Sequence, residues 1–217
     1  MTQRTAVVAG ATGLVGREIV RGLLADPTVR QVHILARRAP PFKDAKVAVH
    51  LVDFAILPVL PPADELYLAL GTTIRDAGSP AAFRALDYGA NLAVAQAALT
   101  AGVKRVGLVS AMGAQAKSRV YYSCVKGELE DALAALPFTG LVIARPSLLT
   151  GDRRELGQAR RRGEEFGLVV DRIAGFLIPA NYKPIAAADV ARALLDTVPG
   201  VVGTQVVVSG AMRRREK

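Results

Sequence analysis

The 217-residue chain has no tryptophan, one cysteine and two histidines, and only 5% of its residues are aromatic. Each shortage excludes something. Cys124 has no second cysteine with which to form an internal disulfide. His33 and His50 stand at no metal-ligand spacing to each other or to the cysteine, so no metal site is expected. Sparse aromatics remove the stacking surface that holds single-stranded nucleic acid. No apolar run reaches the roughly 20 residues that cross a bilayer. No signal peptide is expected before the first apolar run either, because "MTQR" leads directly into "TAVVAG". With the lone cysteine, that predicts a protein of the reducing cytoplasm.

What is present is apolar and basic. Hydrophobic residues make up 51% of the chain, enough for a real core, and 28 Lys and Arg against 19 Asp and Glu give a net charge of +9. Part of the excess lies in Arg153-Arg154, Arg160-Arg161-Arg162 and Arg213-Arg214-Arg215. No nucleic-acid-reading motif accompanies it, so nucleic acid is not the expected partner. A solvated surface with a positive field around an anionic small molecule is.

Short apolar runs alternate with helical patterns. "TAVVAG" (5–10), "QVHILA" (31–36), "KVAVHLVD" (46–53), "ELYLAL" (65–70), "RVGLVS" (105–110), "TGLVIAR" (139–145) and "TQVVVS" (204–209) read as strands. Helices are predicted over 14–25, 81–101, 119–136 and 186–198. In the first, Val15, Ile19 and Leu23 recur every fourth residue. This alternation predicts an α/β fold of the Rossmann type, a doubly wound parallel sheet with helices on both faces. The whole chain, 1–217, reads as one such domain, with residues 147–184 forming a small C-terminal substrate lip.

Between the first strand and first helix stands "VAGATGLVGRE". There Gly10 permits a tight turn, Gly13 lets a pyrophosphate approach the backbone, and Gly16 lets helix pack on strand. The helix start offers free N–H groups and a positive dipole end. The dinucleotide contacts predicted here are Gly10, Thr12, Gly13, Leu14, Val15, Gly16 and Arg17. After the second strand, where an acid would bond a ribose 2′-hydroxyl, stand Arg37 and Arg38. Guanidinium groups clamp a 2′-phosphate, so NADP(H) is the expected cofactor. Asp53, closing the third strand, either accepts from the adenine amino group or caps a turn. Leu70, Gly71 and Thr72 end the fourth strand, and either run along the cofactor or form the turn.

"VYYSCVKGELE" (120–130) places Tyr122 and Lys126 four apart, on one helix face. A nearby ammonium stabilises a phenolate and fits the tyrosine for proton transfer to a substrate oxygen. Ser110, at the end of the fifth strand, is placed to hydrogen-bond the reacting carbonyl oxygen, with Ser118 and Ser123 as competitors. Cys124 reads as packed rather than nucleophilic.

The chain resembles the short-chain dehydrogenase/reductases, and most of all their atypical branch related to the Tat-interacting oxidoreductases. The likeness is carried by "GATGLVGRE", "LGTTIRDAGS", "VSAMGAQAKSRVYYSCVKGELE", "ARPSLLTGDR" and "YKPIAAADVARAL". It implies an NADP(H)-binding Rossmann core with Ser110, Tyr122 and Lys126 as the catalytic constellation. It also implies that "RPSLL", beginning with Arg145 and Pro146, passes close to the nicotinamide. Relatives often carry two serines at the end of the fifth strand, where this chain has Ser110 and Ala111.

In the lip, Phe166, Val170, Ile173 and Leu177 fall at helical spacing beneath a basic start. This stripe either packs over the crevice, the reading preferred here, or lies on a membrane surface. The activity expected is NADPH-dependent reduction of a small carbonyl substrate. The alternatives are a non-catalytic NADPH-binding regulator and a sugar-nucleotide epimerase.

Overall fold

The computed structural model describes residues 3–150, 179 and 181–213. β1 (Arg4–Ala9) leads into α1 (Leu14–Ala25), followed by β2 (Val29–Ala36), β3 (Val47–Leu51) and β4 (Glu65–Leu68). After short helices α2 (Ile74–Ala77) and α3 (Pro80–Arg84), a π-helical turn (Ala85–Ala90) continues into α4 (Asn91–Thr100). Then come β5 (Arg105–Val109), α5 (Tyr121–Ala134), β6 (Gly140–Arg145) and two short strands, β7 (Leu149–Thr150) and β8 (Ile185–Ala186). α6 (Ala187–Thr197), β9 (Gly203–Val208) and α7 (Ser209–Met212) close the described chain.

Every predicted strand forms. Seven of them pair in the order β3-β2-β1-β4-β5-β6-β9, all parallel. The order runs outward in both directions from β1, so the crevice at the carboxyl ends of β1 and β4 is the topological switch point of a Rossmann fold. β7 and β8 form a separate parallel pair.

Alternation along β1 explains why both faces must be covered. Ala6 and Val8 join a core with Val15, Ile19 and Leu23 of α1 and Val190 and Leu194 of α6. Val7 and Ala9 point the other way, into a core with Val94 and Ala98 of α4 and Leu129 and Leu133 of α5. Successive strand residues face opposite sides, so a run without a polar residue needs helices on both. The ends of the sheet are tied by charge. Arg4 bonds Glu65 at 2.6 and 2.7 Å and also pairs with Asp26, while the buried Tyr67 hydroxyl donates to Glu65 at 2.9 Å.

The predicted single helix over 81–101 differs. Its middle widens into the π-helical turn, and there two polar side chains, Asp87 and Asn91, are fully buried. Such turns cluster at functional sites because they re-aim side chains within an otherwise regular helix. Most of the predicted lip, including the stripe from Phe166 to Leu177, lies outside the described residues. Tyr182, which the sequence places at the lip's end, is exposed.

Candidate active site

The turn from β1 to α1 is built by two close approaches. Gly10 has φ +91°, and a Cβ there would lie 2.4 Å from the carbonyl of Ala69. A Cβ on Gly16 would lie 2.1 Å from the Gly10 carbonyl oxygen. Both positions are closed to larger residues by the protein itself. Gly13 is different, because a Cβ there meets nothing nearer than the Gly10 oxygen at 3.4 Å, an ordinary contact. The fold itself therefore does not demand glycine at 13, and the bare backbone there leaves room for an external group. Gly13 also caps α1 without a side-chain acceptor, leaving the first-turn amides for a ligand. These features fit a dinucleotide's pyrophosphate.

Gly13, Leu14 and Val15 open onto a cleft that is also lined by Leu70, Gly71, Thr72, Asp87, Ser110, Tyr122, Lys126 and Leu149. The cleft thus joins the glycine turn to all three predicted catalytic residues. Tyr121 is turned aside, its hydroxyl donating to the Pro80 carbonyl at 3.2 Å. Tyr122 packs its ring 5.4 Å from that of Phe83 and lines the cleft. Cys124 donates to the Ala116 carbonyl at 3.1 Å, and burial pushes its thiol pKa up, in keeping with a packed residue.

Two residues that hold the predicted catalytic side chains in place were not read from the sequence. Lys126 Nζ lies 2.8 Å from Asp87 Oδ1, with 5% and 0% of the two side chains exposed. Asp87 Oδ2 accepts from the Thr72 amide at 2.9 Å, and Asn91 Nδ2 donates to the Leu70 carbonyl at 3.2 Å. The π-helical turn thereby ties the loop after β4 to the lysine of α5. Breaking such a buried pair from one side typically costs about 3–5 kcal/mol. The second residue is Glu130, 4% exposed, which accepts the hydroxyl proton of Ser110. Arg145 Nε bonds both Glu130 oxygens at 3.1 Å, and this contact raises the Arg145 pKa. The expectation that Ser110 donates to a substrate carbonyl therefore meets a hydroxyl already committed elsewhere. The available signal for Asp87 was its spacing of four from Asn91 on one face of an apolar helix.

The remaining predicted contacts spread around the cofactor's path. Thr12 is exposed in the turn, and Arg17 Nε lies 3.4 Å from Glu18 Oε1. Arg37 and Arg38 are exposed directly after β2. Asp53 Oδ1 accepts from the Ala55 amide at 2.9 Å, which is the turn-capping alternative. Pro146 is buried, and its carbonyl accepts from the Met112 amide at 2.9 Å, so Leu149 of the same stretch reaches the cleft instead. Among the described residues no cluster of three or more His, Cys, Asp or Glu is placed to hold a metal.

A family model described as NAD(P)H-binding matches residues 10–198. A Candida albicans relative, "Protein FMP52, mitochondrial", is 33% identical over 94% of this chain and 93% of its own length. A relative of the same name from Coccidioides immitis is 38% identical over 80% of this chain and 75% of its own. Among solved structures, a short-chain dehydrogenase/reductase family oxidoreductase from Burkholderia thailandensis superposes with a TM-score of 0.71 at 20% identity, over 98% of this chain and 93% of that one. MoeE5 in complex with UDP-glucose and NAD gives 0.70 at 17% identity, over 96% and 79%. The relatives' names overturn the cytoplasmic setting expected from the sequence. A lone cysteine shows that no internal disulfide forms, which does not choose between reducing compartments.

Proposed function

Because this chain belongs to the NAD(P)H-binding family, we propose that it is an NADPH-dependent oxidoreductase reducing a small carbonyl compound. We read it as an atypical short-chain dehydrogenase/reductase resembling the Tat-interacting branch, and its relatives' names support a mitochondrial setting. The observation that carries the reading is that Tyr122, Lys126 and Ser110 line the same cleft as the glycine turn.

The α1 amides and Gly13 hold the pyrophosphate, and Arg37 and Arg38, exposed at the end of β2, clamp a ribose 2′-phosphate. When bound, the nicotinamide supplies the hydride. Tyr122 gives a proton to the substrate oxygen. Lys126, one helical turn along α5 from Tyr122, is held in the cleft by its ion pair with Asp87. Ser110 stands beside the reacting oxygen.

Loss of NADPH absorbance with a panel of aldehydes and ketones tests the reading. Tyr122→Phe lowers turnover by about 10²–10⁴-fold while NADPH still binds. Turnover at the wild-type rate removes the proton-transfer role. Tight NADPH binding without turnover on any carbonyl favours the regulator instead.

A further inference from the structure

Ser110 and Glu130 are both nearly sealed from solvent, at 5% and 4% exposure. Ser110 faces the cleft beside Tyr122 and Lys126. Glu130 lines a separate pocket together with Arg145, Gln115 and Lys117. The serine hydroxyl has one proton, and that proton goes to Glu130 Oε1. A carboxylate only accepts, so the direction of this bond is fixed. Glu130 is itself clamped, because Arg145 Nε reaches both of its oxygens at 3.1 Å and the guanidinium pairs with it again through Nη2. The Ser110 backbone is held as well, its amide donating to the Ala144 carbonyl at 2.8 Å.

Resting on the reductase reading above, we propose that Glu130 turns Ser110 into a pure hydrogen-bond acceptor toward the cleft, so that the site holds an alcohol more tightly than the matching carbonyl. A carbonyl oxygen brings no proton to the serine lone pairs. An alcohol does. The carbonyl substrate is therefore bonded at its oxygen by Tyr122 and not by Ser110. Once the phenol's proton has moved to that oxygen, the new hydroxyl donates to Ser110. Glu130 touches no substrate and is a positioning residue, acting through the serine it orients.

Neutron diffraction from deuterated crystals of the NADP-bound protein tests this without turnover. The Ser110 deuteron lies on the line to Glu130, and a deuteron directed into the cleft overturns the proposal. Binding supplies a second arm, with benzyl alcohol and benzaldehyde as probes in dead-end complexes, the alcohol with NADPH and the aldehyde with NADP⁺. In Glu130→Gln the amide nitrogen donates to Ser110, freeing its hydroxyl to swing into the cleft. The ratio of alcohol to aldehyde affinity then falls about tenfold relative to wild type, the worth of one hydrogen bond. An unchanged ratio overturns the proposal. Should Glu130→Gln not fold, Ser110→Ala carries this arm, losing about tenfold in alcohol affinity with little change for the aldehyde. If neither probe binds, the deuteron position decides alone. Failure of the reductase reading shows differently, as absence of turnover on every carbonyl with the Ser110 deuteron still directed at Glu130.

Discussion

Adding a single methyl group separates the three glycines of the β1–α1 turn. At Gly16 it collides with the Gly10 carbonyl, a contact between backbone atoms that no side-chain rotation relieves. At Gly13 it meets only an ordinary contact, and on the proposed reading it would stand in the way of the pyrophosphate. Gly16→Ala is therefore expected to destabilise the protein by a few kcal/mol, about 1–3 by the usual cost of overpacking, read as a lower melting temperature with or without NADPH. Gly13→Ala is expected to melt within a degree or two of wild type and to lose at least about tenfold in NADPH affinity by calorimetry. Equal losses of stability in both variants would remove the distinction. The glycine spacing in the sequence marks the turn but not this division of labour, which depends on how near Ala69 and Gly10 come to each added carbon.

At the scale of elements, the edge of the sheet carries a pH-sensitive contact. His33 of β2 and His50 of β3 meet with ring nitrogens 3.0 Å apart, so one must donate while the other accepts. Burial, then His50, then Arg30 lower the His33 pKa below its ordinary 6.5. Above pH 6.5 the ring is neutral in folded and unfolded chains alike, and the contribution to stability is fully present. As pH falls below 6.5 the unfolded chain binds the proton first, and stability is lost through the depressed folded value. Urea midpoints taken downward from pH 7.5 are expected to fall in wild type and to fall less in His33→Asn; parallel curves would exclude the pair as the cause. The strands themselves were legible, because Ala6–Ala9 and its counterparts are unbroken apolar runs that only a doubly covered sheet can bury. The helix over 81–101 was legible in extent but not in its π-helical turn. Asp87 owes its place to Lys126 on a different helix, and Glu130 owes its place to Ser110, just past the end of β5, and to Arg145 of β6. Such pairings join residues far apart in the chain, and no local period announces them.

At the scale of the whole molecule, a ligand that binds only the folded chain raises its stability by mass action. NADPH at about 100 times its dissociation constant should add about 2.7 kcal/mol, seen as a melting temperature that climbs with NADPH concentration. With Arg37 and Arg38 both changed to alanine, the advantage of NADPH over NADH should vanish while NADH binding persists. An undiminished preference for NADPH would move the 2′-phosphate site elsewhere. The Tyr122–Lys126 spacing and the glycine turn, read from separate parts of the sequence, meet here in one cleft because the sheet order brings the carboxyl ends of β1, β4 and β5 side by side. The choice of substrate was not legible, since it depends on what surrounds a reacting carbon rather than on any run of residues.

The small pairing of Leu149–Thr150 with Ile185–Ala186 has a bearing on how such a protein diversifies. It fastens the departure and the return of the intervening stretch at one point beside the cleft, where Leu149 already forms part of the wall. The entropy of joining two fixed chain ends grows only with the logarithm of the length between them. Changes of length between these two strands can therefore be absorbed while the order of the seven-stranded sheet stays as it is.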